Sequence, residues 1–357
     1  MYRYSCGPKS LFLFGCVSTT ILLLLYYYST LYHMKLTHNA NSRVVSPTVR
    51  DRPVVIYYPP DFSPGLPTGF AIFHKHGCLV RNCILTKADS HKRTADVILF
   101  GENTAWDPQF PRKRNQIWII RLLESPENTQ SLKYYDGKIN FTASYHNESD
   151  LPVPYGVFER FPVVKTSNAV KNYAKGKRKM VFWLVSHCLT NNRRMLYAQR
   201  LSKFVEVDIY GSCGKGSLTK EAAQRVIRNN YKFYLAFENS NCLQYITEKF
   251  WINALSTNVV PIVMGAPKED YMRVAPPHSF IHVDDYEPQE LAKYLTYLNN
   301  NDTAYNEYFR WTSYGRIVGS NFYCRLCSFV QSPPTKSYDS LDTWWRNTGE
   351  CQKNIAI

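Results

Sequence analysis

The sequence has no internal repeat at the ~20–50-residue period of solenoids and propellers. Low-complexity tracts are also missing. Its 16 Gly and 20 Pro are scattered without a period through 357 residues, which excludes collagen-like material. There is no zinc-finger spacing, no RNP-like aromatic motif and no Asp-x-Asp pair. Acid is scarce: 28 Asp and Glu stand against 43 Lys and Arg, a net charge of +15. Such a balance usually invites nucleic acid. Here the basic residues fall in short separate groups, Arg112-Lys113-Arg114, Lys175 to Lys179 and Arg193-Arg194, with no reading motif beside them. No nucleic-acid partner is expected; an anionic small substrate or a solvated surface is. What is abundant is apolar. Hydrophobic residues make up 45%, enough for real cores, and the length allows two domains. The 27 Tyr suit a protein that encloses flat or sugar ligands, though large cores use the same residues.

Leu11–Tyr32 runs 22 residues without a charge. At 1.5 Å per residue it would cover about 33 Å, enough for a ~30 Å hydrocarbon layer. Arg3 and Lys9 precede it and tyrosines close it, as at a lipid interface. A cleaved signal peptide is the competing reading, but Tyr26-Tyr27-Tyr28 and Leu31-Tyr32 do not make a small-residue cleavage site. The expectation is a cytosolic tail over 1–10, a transmembrane signal anchor over 11–32 and a stem over 33–52. Three N-glycosylation sequons, at Asn140, Asn147 and Asn301, lie beyond the span, as do eight of the ten cysteines. That is the layout of a type II Golgi membrane protein with its large domain in the oxidising lumen.

Apolar runs then alternate with helix-compatible segments. Strands are expected at Val54–Tyr58, Phe70–Phe73, Val97–Phe100 and Ile117–Leu123, then at Met180–Val185, Val205–Tyr210, Phe233–Phe237, Val259–Val263 and Phe280–Val283. Helices are expected at Arg193–Phe204, Glu248–Ser256 and Pro288–Asn299. Continuous apolar strands between helices indicate buried parallel sheets, the α/β class. A polar, basic break near Lys165–Lys179 divides the chain into α/β domains over 53–165 and 166–330, followed by a tail over 331–357. Two such domains facing a cleft would place ligands at the carboxyl ends of their strands.

The segment with the clearest chemistry is FYLAFENSNCLQYITEKFWINALSTNVVPIVMG, residues 233–265. It reads as strand, polar loop, helix, strand. Glu238-Asn239-Ser240 falls at a strand's carboxyl end, and Thr247 is a candidate N-cap followed by Glu248 and Lys249. A lysine at a helix N-terminus, where a cation is disfavoured, suits a phosphate that both would bind. A solvated Glu248–Lys249 pair is the plainer alternative.

This segment resembles the signature of the α1,3-fucosyltransferases of glycosyltransferase family 10: FYLAFENS, a short variable stretch, YITEK, then an apolar strand with Val-Pro and a Gly. It departs at Gln244, where the family commonly has Asp. The likeness extends over roughly 55–330 and takes in IRLLESP at 120–126, NFTASYHNESDLPVPYG at 140–156, FWLVSHCLTNNRRMLYAQRL at 182–201 and VDIYGSCG at 207–214. The resemblance implies a GT-B fold of two Rossmann-like domains, an N-terminal one for the acceptor and a C-terminal one for GDP-β-L-fucose, and transfer with inversion. Arg194 and Lys249 match diphosphate-contacting positions, with adjacent Arg193 the alternative to Arg194. Asn239, Tyr245 and Glu248 match donor contacts, and Glu124 matches the general base. On the residues alone, Glu124 could equally cap the turn at Ser125-Pro126.

No obligatory cofactor is implied, and any divalent cation would be at most stimulatory. His74-Lys75-His76 lacks a nearby third ligand, and Cys324-x-x-Cys327 is expected to be tied to Cys78 and Cys83 by disulfides, with Cys188 joined to Cys213. Cys242 and Cys351 stay unassigned. The expected partners are GDP-fucose, GlcNAc-containing glycan acceptors and a membrane; a homo-oligomer is left open. An inactive homologue acting as a lumenal glycan-binding or scaffold protein is the alternative function.

Overall fold

A computed structural model of the chain describes residues 51–352, apart from 61, 64, 103–111 and 163–170. The expected tail, membrane span and all but the end of the stem lie outside the described residues. Among those described, no helix is long and apolar enough to cross a membrane.

The first half builds a five-stranded sheet from β1 (Val54–Tyr57), β2 (Cys83–Thr86), β3 (Val97–Gly101), β4 (Ile117–Leu122) and β5 (Phe141–Ser144), in the order β2-β1-β3-β4-β5. All its pairings are parallel. A further strand, β6 (Val157–Arg160), follows. The second half repeats the design with β7 (Lys179–Leu184), β8 (Val207–Tyr210), β9 (Tyr231–Phe237), β11 (Val260–Met264) and β12 (Ile281–His282); a short β10 (Asn241–Cys242) interrupts the series. Its order is β12-β11-β9-β7-β8, again parallel. Counted from its own first strand, the second sheet has the same 2-1-3-4-5 winding as the first. Strand order in such a sheet reverses between the first and third strands, and the crevice outside their carboxyl ends is where ligands bind.

The physical reason for the sheets is alternation with both faces covered. Val54, Ile56, Leu99 and Ile119 pack on one side of the first sheet, and Tyr57, Ile98, Phe100 and Ile120 on the other. Central β9 is buried at all seven residues.

Three expectations are corrected. Phe70–Phe73 is not a strand: Gly69 turns at φ +76° and the chain enters a short helix, Ala71–Lys75, that buries Ile72 and Phe73. A four-residue apolar run reads equally well as either element. The edge position is taken instead by β2, and His74 falls on that helix rather than at a strand end. Second, the helix expected at Glu248–Ser256 is a π-helical turn, Lys249–Ala254, followed by a 3₁₀ turn to Thr257. Third, residues from 331 are not a tail. Helix Leu341–Thr348 buries Leu341 and Trp345 in the first half's core, and β14 (Cys351–Gln352) pairs with β10. Just before it, helix Phe322–Phe329 packs into that same half, and β13 (Gly315–Val318) pairs antiparallel with β6. The two halves therefore exchange segments, and a boundary at 165 or 330 does not divide them.

Disulfides fix this exchange. Cys78 joins Cys324, Cys83 joins Cys327 and Cys188 joins Cys213; the remaining pair is Cys242–Cys351.

One cation is costly to the fold. Lys177 Nζ lies near the Tyr305 hydroxyl, 3.5 Å away, and burial, with Lys171 and Lys232 adding repulsion, pushes its ammonium down to about 7. Unfolded lysine holds its proton to about pH 10.4. A lowered pKa contributes stability that is full above that value and is lost as pH falls toward 7. Lys177→Met is therefore expected to stabilise the protein at pH 7 by ~1–2 kcal/mol, with partial exposure discounted, and to flatten the rise between pH 7 and 10. Urea unfolding of both proteins at pH 7 and 9.5 measures it; an equal pH slope in the two would contradict it.

Candidate active site

Glu124 follows β4, and Asn239 and Tyr245 follow β9, so the carboxyl ends of the two sheets meet at one carboxylate. Its Oε1 accepts from Ser125 N at 2.8 Å, from Asn239 Nδ2 at 3.0 Å and from the Tyr245 hydroxyl at 2.7 Å. No donor among the described residues reaches Oε2. The two readings of Glu124 thus fall on different atoms: Oε1 caps the Ser125 turn, and Oε2 has its lone pairs free. Burial pushes the Tyr245 phenol well above its ordinary value, so it stays a donor. Its ring packs against Tyr145, which in turn meets Trp345 of the C-terminal helix.

Beside this lies a second, charged cluster. Glu238 is fully buried, and its carboxylate accepts from Lys249 Nζ at 2.9 Å and from Thr247 N and Oγ1 at 2.8 and 2.9 Å. Burial pushes Glu238 up from its ordinary value while Lys249 opposes it. For Lys249 burial acts downward, but Glu238 and Glu248 overcome it and hold the ammonium above its usual value. Glu248 stands 3.4 Å from Lys249 Nζ on the more open side. Gly265, at φ +145°, makes room: a Cβ there would lie 2.7 Å from the Glu238 Cβ. Thr247 is thus a bridge between Glu238 and the turn, more than the cap its position predicts.

Arg194 opens the helix Arg194–Leu201 after β7 and is 3% exposed. Its guanidinium donates to the carbonyls of Phe237 at 2.7 Å and His187 at 2.8 Å, and its Nε has no hydrogen-bond partner among the described residues. It charges the site from beneath, while neighbouring Arg193, at φ +53°, is exposed. Asn192 adds a bond from Nδ2 to the Glu238 carbonyl at 2.9 Å. All six residues expected at the site therefore converge on the loop from 237 to 249. Sequence reasoning placed Glu238 at a strand's carboxyl end without giving it a role, and it passed over Asn192, Tyr145 and Glu102, which accepts from the backbone of Glu124.

Gln244 explains its own departure from the signature. Its amide pairs in both directions with Asn147 of the first half, Oε1 from Asn147 N and Nε2 to Asn147 Oδ1, each at 3.0 Å. An aspartate has no donor to complete that clasp. A cavity of about 350 Å³ opens beside it, lined by Tyr145, Pro154, Phe158, Trp251 and Asp270 among others. Of the three sequons, Asn140 has its amide engaged: Nδ2 donates to the Lys336 carbonyl at 2.8 Å and Oδ1 accepts from Trp118 N. Asn147 is exposed and Asn301 half-exposed. Among the described residues no group of three His, Cys, Asp or Glu is placed to hold a metal ion.

Two family models match. "Glycosyltransferase family 10 (fucosyltransferase) C-term" spans 174–344, and "Fucosyltransferase, N-terminal" spans 50–156. The chain belongs to glycosyltransferase family 10. This family 10 chain is 41% identical over 293 residues to the glycoprotein 3-alpha-L-fucosyltransferase A of Drosophila melanogaster, covering 79% of itself and 58% of that protein. It is 34% identical over 278 residues to the alpha-(1,3)-fucosyltransferase 7 of Bos taurus, covering 75% and 79%. It thus spans little more than half the length of the Drosophila relative. Among solved structures, an alpha1,3-fucosyltransferase with GDP-fucose matches with TM-score 0.53 at 15% identity, over 82% of this chain and 94% of that one. The same enzyme type with GDP gives 0.51 at 15% identity, over 83% and 94%. These two share the fold.

Proposed function

We propose that the protein is an inverting α1,3-fucosyltransferase, moving L-fucose from GDP-β-L-fucose to the 3-OH of GlcNAc in glycoprotein or glycolipid glycans. The observation that carries this reading is the divided Glu124 carboxylate, one oxygen held by three donors and the other free. Oε2 takes the proton as the acceptor oxygen attacks the fucosyl carbon from the face opposite GDP, and the bond to the diphosphate breaks. Lys249, kept protonated by Glu238 and Glu248, and Arg194 beneath the loop stabilise the negative charge that develops on the leaving group. Asn239 and Tyr245 align the base, and Glu248 faces the donor sugar. The cavity beside Gln244 suits the apolar face of an acceptor sugar.

No metal is required by this chemistry, because cationic side chains do the work that Mn²⁺ does on Asp-x-Asp enzymes. We place the enzyme in the Golgi membrane as a type II protein, on the uncharged span, the sequons at Asn147 and Asn301 and the paired cysteines. The purified protein is expected to transfer fucose from GDP-fucose to N-acetyllactosamine or core GlcNAc acceptors, with the rate kept in EDTA. Activity lost in EDTA and restored by Mn²⁺ would reject the metal-free mechanism. GDP-fucose binding without transfer to any acceptor of a glycan panel would favour an inactive glycan-binding homologue.

A further inference from the structure

Strands β3 and β4 run parallel with Gly101 opposite Arg121, so the residues just past their ends emerge side by side. The residue after β3 is Glu102. Its Oε2 accepts from the backbone N–H of Leu123 and from that of Glu124, each at 2.8 Å. The carbonyl of Leu123 is held from the other side by the Tyr155 hydroxyl at 2.7 Å. Two carboxylates this close repel, and the arrangement stands because each faces donors: two N–H groups for Glu102, and Ser125, Asn239 and Tyr245 for Glu124. Burial pushes the Glu102 carboxyl up, and the two N–H groups oppose that. Holding an acid in this place has a cost that a capped turn alone does not need.

We propose that Glu102 is a positioning residue for the transfer: by fixing the Leu123–Glu124 main chain it aims Glu124 Oε2 at the acceptor hydroxyl. The inference rests on the reading of Glu124 as base. Glu102 touches no reacting atom and acts through Glu124. The three bonds on Oε1 fix where the Glu124 side chain ends, and Glu102 fixes where it begins, so a loss at either end rotates Oε2 off line.

The test measures kcat and the KM for GDP-fucose of Glu102→Ala and Glu102→Gln, each in the wild-type and in the Glu124→Gln background. Misplacement of a catalytic group by about 1 Å costs on the order of 10²-fold, so Glu102→Ala is expected to lower kcat by roughly 10–100-fold with KM little changed. Glu102→Gln, whose amide oxygen can accept both N–H groups, is expected to restore most of the rate. In the Glu124→Gln background Glu102→Ala should cost nothing further, because residues acting as a unit are not additive. A wild-type kcat for Glu102→Ala, or a loss that simply multiplies with that of Glu124→Gln, overturns the proposal. If Glu102→Ala fails to fold, Glu102→Asp, which keeps the charge but draws the acceptor back by one methylene, is judged by the same two criteria. The base reading fails separately: in that case Glu124→Gln alone turns over at the wild-type rate.

Discussion

Glu124→Gln is expected to lower kcat by about 10²–10⁴-fold, or roughly 3–5 kcal/mol of barrier, while GDP-fucose still binds. The substitution is chosen for what it preserves. A glutamine Oε1 can accept from Ser125 N, Asn239 and Tyr245 as the carboxylate does, so the junction between the two sheets stays closed. Only the second atom changes, from a base to an NH₂ that holds no lone pair for a proton. Alanine would confuse the result, since Tyr245 would be left as a buried donor without its partner, costing about 1–3 kcal/mol, and half-buried Asn239 would lose its bond as well. Calorimetry with GDP-fucose and a transfer assay on the same preparation separate the two effects. A variant that loses donor binding yet keeps its turnover at saturation would make Glu124 a donor contact and leave the enzyme without its base.

Lys249→Met is expected to fail in both stability and catalysis. Glu238 is fully buried, and removing its cation leaves an uncompensated charge, which typically costs about 3–5 kcal/mol. The pH dependence has a definite sign. Glu238 already sits above its ordinary value through burial, and without Lys249 it rises further. A carboxyl with a raised folded pKa contributes stability that is full below its unfolded value and lost as pH rises through the folded one. The variant should therefore lag the wild type more at pH 8 than at pH 5 in urea unfolding. The double variant Glu238→Gln/Lys249→Met should recover much of the stability, since it removes both charges, while donor binding and turnover stay low. Recovery of transfer in the double variant would remove Lys249 from the leaving-group side.

The parts of this site that could be read in the sequence share one property: they stand at the ends of long apolar runs. The Ile117–Leu123 and Phe233–Phe237 runs are unmistakable, and Glu124 and Asn239 follow from where those runs stop. The same rule applied to Val97–Phe100 points to Glu102, two residues past the end of that run. Glu238 stands at the end of such a run too, but its role was hidden for another reason. A glutamate normally marks the surface, and its burial depends on Lys249, eleven residues on, and on the space that Gly265 leaves. Tyr145 and Trp345 are further still from legibility, for their contact joins positions 200 residues apart and no local pattern encodes it. Short elements failed in the same way: β2 is four residues beside Arg81 and Asn82, and only its pairing with β1 makes it a strand.

The exchange of segments between halves also sets a timetable for synthesis. The core of the first half takes Phe322, Leu326 and Val330 from a helix and its C-cap late in the chain, and Cys78 and Cys83 find their partners 246 and 244 residues downstream. At about 5–20 residues per second, the emerging first half waits roughly 10–50 s for them. The usual order, in which an N-terminal domain closes before the next one appears, is not open to this chain. Its second sheet, which needs only Cys188–Cys213 for its own loop, can close first, and the half that carries Glu124 becomes whole only when the segments at 322–330 and 341–351 have been made.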